Sequence, residues 1–82
     1  RIWIADPYAG RVTALHRDGQ EEFRVTGLND AGELSVDVTT GEAWVVLGIN
    51  GSLARISPAG TILRVQGGFQ IPIAIGVDPG GR

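Results

Sequence analysis

The chain has 82 residues, enough for at most one small domain, and a chain of that length buries only about 60–65% of its unfolded surface. Its 43% hydrophobic and 20% charged residues argue against intrinsic disorder, and a net charge of −2 without a basic cluster argues against a nucleic-acid partner. With no cysteine, disulfides and thiolate metal sites are excluded, and no apolar run approaches the ~20 residues of a membrane-spanning helix, so no membrane association is expected.

Thirteen glycines imply many tight turns and hence many short strands. Arg1–Ala5 is a β-branched and aromatic run, Ile-Trp-Ile, followed by the turn Asp6-Pro7-Tyr8-Ala9-Gly10. Arg11–His16 alternates polar and apolar, and Arg17-Asp18-Gly19 is a hairpin signal. Glu21–Thr26 is a third strand, with Phe23 and Val25 on one face and charges on the other, suited to an exposed sheet edge. After the loop Gly27–Gly32, Glu33–Asp37 alternates again with Leu34 and Val36 inward, and residues 39–42 turn the chain into Ala43–Leu47. The turn 48–51, the strand Ser52–Ser57, the turn 58–60 and the strand Thr61–Gln66 follow. The loop Gly67–Pro72 leads to an eighth strand, Ile73–Val77, and Asp78–Gly81 is a last turn signal. No stretch carries a 3.6-residue apolar period over ten residues, so no helix is expected.

The two halves correspond at an offset of 41. Trp3 pairs with Trp44, Gly10 with Gly51, Gly19 with Gly60, Gly27 with Gly68, Val36 with Val77 and Asp37 with Asp78. Val12/Leu53, Leu15/Ile56, Leu28/Phe69 and Leu34/Ile75 are conservative matches. The chain therefore reads as one all-β unit of two repeats, about 1–41 and 42–82. A period near 40 residues with four strands per repeat selects a β-propeller among the all-β radial folds.

The segments Pro72-Ile-Ala-Ile-Gly-Val-Asp78-Pro79-Gly-Gly-Arg82, Ile2-Trp-Ile-Ala-Asp6 and Gly10-Arg-Val-Thr-Ala-Leu15 with Asp18-Gly19 resemble the NHL-type repeat. They are similar also to the six-bladed TolB-like and virginiamycin-lyase-like propellers. The first repeat departs from the pattern at Ala31 and Val38, and the second at Leu47. The resemblance implies inner-strand-first blade order. One complete four-stranded blade then spans about 33–66, and a second is split between the chain ends.

From Asp37 to Trp44 is seven residues, and from Asp78 through Arg82 to Trp3 of a following copy is also seven. Either the residues are cut from a longer repeat chain, or copies join head to tail. The start at Arg1 rather than Met is read as processing or excision. Two blades alone leave apolar faces uncovered, so a ring is expected. Three chains sharing strands would give six blades, and four would give eight.

No catalytic set emerges. His16 is the only histidine and is read as a solvated strand-end residue. Ser35, Ser52 and Ser57 lie in no nucleophile elbow. Asp37 and Asp78 are read as caps of the turns that follow them, and Trp3 and Trp44 as packing between blades rather than stacking platforms. No metal and no cofactor is expected. Ligand contacts are expected on the loops 6–11, 26–32, 47–52 and 67–72, at Tyr8, Arg11, Asn29, Asp30, Asn50, Phe69 and Gln70, a set suited to a sugar or a peptide. The leading expectation is a non-catalytic binding or scaffold module for a protein or carbohydrate. One alternative is a fragment of a metal-dependent propeller lyase or lactonase, with Asp37, Asp78 or Glu33 as ligands. Another is an artificial self-assembling chain with no ligand.

Overall fold

The computed structural model describes residues 1–48, 51–70 and 74–77. Seven strands form in them: β1 (Ile2–Asp6), β2 (Arg11–Leu15), β3 (Glu21–Val25), β4 (Ala31–Val36), β5 (Ala43–Leu47), β6 (Ser52–Ile56) and β7 (Ile62–Gln66). They make two antiparallel meanders, a three-stranded sheet β1-β2-β3 and a four-stranded sheet β4-β5-β6-β7. The described residues contain no helix, as the missing 3.6-residue period requires.

The sheets share their backbone detail at the 41-residue offset. β5, β6 and β7 begin and end 41 residues after β1, β2 and β3. The register shift at Ala14/Leu15 recurs at Arg55/Ile56. Gly19 N donates to His16 O at 2.9 Å and Gly60 N to Ser57 O at 3.0 Å. Leu28 N donates to Gly10 O at 2.8 Å and Phe69 N to Gly51 O at 3.0 Å. The last contact explains the glycine at 51. Its φ is 63°, and a Cβ there would stand 2.0 Å from the Phe69 carbonyl oxygen. Only a residue without Cβ permits that approach.

Several boundaries differ from expectation: β2, β3 and β6 each stop one residue early and β7 starts one residue late. β1 extends through Asp6, paired with Arg11. β4 starts at Ala31, two residues early, and reaches Leu34 across an irregularity in its pairing with β5. Asp37 leaves the ladder because its Oδ1 accepts from Thr39 N at 2.9 Å, the turn-capping role expected of it. Asp78, its counterpart, lies outside the described residues. Last, the expected strand Ile73–Val77 is not one: Ile73 lies outside the described residues and residues 74–77 belong to no strand. A strand exists only by pairing. β4, which has the same place in its repeat, pairs with β5, whereas the corresponding edge of β1 has no neighbour in its sheet.

One apolar core joins the sheets. The second sheet contributes Ala31, Ala43, Val45, Leu47, Ala54 and Ile56, with Leu34 and Val36 against them. From the first sheet come Val12 and Val25, with Trp3, Ala5 and Phe23 packed on them, and Leu28 is drawn in from the connecting loop. Contact between the sheets runs through β1 and β4. The faces that meet are not equivalent. Moved back by 41 residues, the second sheet's buried positions 43, 45, 54 and 56 fall on Ile2, Ile4, Thr13 and Leu15. Those residues alternate with the core-facing Trp3, Ala5, Val12 and Ala14. The front of the first sheet therefore packs on the back of the second. The back of the first sheet stays open: Ile2 and Ile4 are each 45% exposed, while Ala43 and Val45 are fully buried.

Candidate functional site

Antiparallel meanders send alternate connections to opposite ends. β1, β3, β5 and β7 end at one rim, where β2, β4 and β6 begin. The described residues of all four expected loops lie there, and main-chain hydrogen bonds tie them in a row. Leu28 N bonds Gly10 O, Gly48 N bonds Asp30 O at 3.4 Å, and Phe69 N bonds Gly51 O. The rim thus brings together Tyr8, Arg11, Asn29, Asp30, Phe69 and Gln70. Asn50 lies outside the described residues.

Within the rim the side chains differ in setting. Tyr8 stands fully exposed at the tip of its turn. Ala9 N donates to Asp6 Oδ1 at 3.2 Å, and Arg11 Nε lies 4.0 Å from Asp6 Oδ2, so Asp6 braces both ends of the Tyr8 loop. Asn29 rests against Gly10, its Oδ1 3.0 Å from where a Cβ on that glycine would stand. Asp30 adopts φ 59°, the left-handed region that Asn and Asp tolerate better than most residues. Phe69 and Gln70 are exposed. An exposed tyrosine and phenylalanine with amide and carboxylate groups between them can stack and hydrogen-bond a polar ligand.

A cleft of about 450 Å³ lies at the opposite rim, lined by Arg1, Trp3, Val36, Val38 and Gly41. Trp3 forms one wall and meets Phe23 edge to face, with centroids 5.4 Å apart. The Arg1 guanidinium lies 5.5 Å from the Trp3 ring centroid and 5.3 Å from that of Phe23. It is held there by a bidentate pair with Glu22. That pair holds the Glu22 carboxyl below the usual carboxylate range, against the opposing effect of desolvation. Arg24 does the same to Glu21, at 2.5 Å. Trp3 packs between the sheets, as expected of it, and walls this cleft as well. None of Arg1, Val36, Val38 and Gly41 is among the expected ligand-contact residues. Arg1 stands two residues before Trp3, hence on the same side of an extended chain, which was the available signal.

The remaining expectations are placed as follows. His16 is exposed, its Nδ1 3.5 Å from Glu22 Oε1. Ser57 Oγ accepts from Thr61 N at 3.0 Å, a turn contact. Among the described residues no three His, Asp or Glu side chains gather as a cation would require. The chain matches no family model, no curated protein and no solved structure.

Proposed function

We propose that the chain is a non-catalytic β-propeller module. It would consist of two four-stranded blades of the NHL or TolB-like kind and present its loop rim to a protein or carbohydrate partner. Three copies would close a six-bladed ring, each chain's 74–77 segment completing the three-stranded sheet of the next. The observation that carries this reading is the front-to-back packing of the two sheets. A closed sandwich buries the inner faces of both sheets and is then complete. Front-to-back packing leaves one back and one front for a further sheet, which is how radial and solenoid repeats grow.

The test is solution mass by light scattering coupled to size exclusion over a dilution series. A persistent mass near three times 8.6 kDa is the expected result. A folded monomer at every concentration would sink the ring. On an assembled ring, thermal-shift screens against glycans and peptides then ask for the ligand. Binding that Tyr8→Ala and Phe69→Ala weaken supports the loop rim, and binding that they leave unchanged removes it.

A further inference from the structure

Resting on that ring, we propose the contact by which one copy receives the next. The open back and edge of the β1-β2-β3 sheet take the 75–77 segment and the front of the β4–β7 sheet of a second copy, in the register that β4 and β5 use inside the chain. Three observations point to it.

The first is the edge. Inside the chain Val36 pairs with Ala43, Ser35 with Trp44 and Leu34 with Val45. The counterparts are Val77 with Ile2, Gly76 with Trp3 and Ile75 with Ile4. Ile75 and Val77 carry the apolar character of Leu34 and Val36, and residues 74–77 are not in a strand. Among the described residues, no strand pairs with the edge of β1 that would receive them.

The second is a glycine. Phe23 of the first sheet lies on the 57–60 turn of the second, so close that a Cβ on Gly60 would stand 2.8 Å from its ring. Gly19 is the counterpart of Gly60, with φ 92° against 91°, and has nothing within 4 Å of its Cβ position. The same seat is built twice and filled once.

The third is charge. The residue at the place of Phe23 in the second sheet is Arg64, and the residue beside Gly19, at the place of Ala59, is Asp18. The contact of Phe23 with Gly60 within the chain thus maps to Arg64 over Gly19 between chains, with Asp18 the neighbouring residue of that turn. Arg64 is exposed and is directly opposite Arg55 across the strands; Glu42 stands 3.7 Å from Arg55, and a second acid would offset the like charge of Arg64. Glu21 and Glu22 lie on the outer strand of the receiving sheet. The docking pair is therefore apolar at the inner strands, acid-on-base at the outer ones, and selective for another copy over a third sheet of arbitrary sequence.

The chain has no cysteine, which makes the test clean. Ile4→Cys and Ile75→Cys are prepared separately, mixed under reducing conditions and oxidised. Light scattering before oxidation confirms that each variant keeps the wild-type mass. Disulfide-linked dimers in the mixture, absent from either variant alone, are expected. An assembled mass with no such dimer overturns this register while leaving the ring. A monomer mass throughout overturns the ring as well. Should the cysteines disturb assembly, Arg64→Glu is expected to raise the dissociation constant about fivefold, the upper range for a partly exposed ion pair. Asp18→Arg in the same chain is expected to restore it. A double variant no tighter than Arg64→Glu alone would overturn the charge contact.

Discussion

Gly60 and Gly19 form a matched pair from which the packing between the sheets can be measured. Both sit at φ near 90°, so alanine at either is strained by the backbone alone, by roughly 1 kcal/mol. At Gly19 that is the whole cost, because nothing lies within 4 Å of the added methyl. At Gly60 the methyl would stand 2.8 Å from Phe23 Cδ1 and 2.9 Å from Cγ, atoms near the root of the ring that cannot swing aside. Forcing a methyl into such a contact adds about 1–3 kcal/mol. Gly60→Ala is therefore expected to cost about 2–4 kcal/mol against about 1 for Gly19→Ala. In a domain of this size the difference is roughly 5–20 °C in Tm.

Urea unfolding followed by tryptophan fluorescence reads both, at a protein concentration low enough that the chain is unassembled, since the proposed assembly would fill the seat over Gly19 as well. The excess must also vanish when the ring is removed. In a Phe23→Ala background Gly60→Ala should fall to the cost of Gly19→Ala, since only strain remains. Equal costs for the two alanines in the wild-type background would refute the packing of β3 on the 57–60 turn, and with it the front-to-back stacking.

Other outcomes follow from single residues. Leu28 is 1% exposed and fixed in the core from a loop, so Leu28→Ala should cost about 2–4 kcal/mol by chemical denaturation. Phe69, its counterpart, is 42% exposed, and Phe69→Ala should cost less than about 1 kcal/mol in the unassembled chain. Asp37→Ala removes the acceptor of Thr39 N and should cost about 1–2 kcal/mol, with Asp37→Asn recovering most of it. Glu21 and Glu22 have folded pKa values below the unfolded one, so their contribution is present above the unfolded pKa and lost as pH falls through the folded one. Stability should therefore decline below about pH 4.5, and Glu22→Gln with Glu21→Gln should flatten that decline. Added salt should flatten it too, because both pairs are at the surface.

The meander and its rims were legible because turn chemistry and strand alternation are local. Gly10, Gly19, Gly51 and Gly60 punctuate the strands at fixed spacing, and each adopts the positive φ that its turn requires. The loop residues fell on one rim for the same reason, since antiparallel order alone decides which connections share an end. The cleft was not legible. It is built from residues 1–3 and 36–41, which approach only when β1 packs on β4. Nor could Ala43-Trp44-Val45-Val46-Leu47 show which face is which, because a run apolar on both faces carries no alternation. Leu28 was visible only as one apolar residue in a polar loop. Its burial depends on the second sheet, whose Ala31, Ala43 and Val45 lie in the same core.

That ambiguity of the β5 run bears on the proposed assembly. A sheet that ends a fold needs one polar face, and neither sheet here has one over its inner strands. The first exposes Ile2 and Ile4 on its back, and the second has Trp44, Val46 and Leu53 on the face that does not meet the first. Charge is heaviest on β3, at Glu21, Glu22 and Arg24, although Asp6, Arg11, Glu33 and Arg55 carry charge on β1, β2, β4 and β6, and β7 carries only Arg64 among exposed Ile62, Leu63 and Val65. Apolar character on both faces near one edge, giving way to charge toward the other, is the pattern of a sheet stacked on both sides around an axis. The first sheet follows that gradient most closely, whereas the outer strand of the second keeps Ile62, Leu63 and Val65 exposed. In the proposed ring β4 and the 74–77 segment would lie nearest that axis and β3 and β7 farthest from it. Reversing the gradient tests this: Ile4→Glu should prevent assembly at concentrations where Arg24→Glu does not, with both variants keeping the β-sheet circular dichroism of the parent. Equal tolerance of the two changes would mean that the back of the first sheet faces solvent in the assembled protein, and the radial reading would fail.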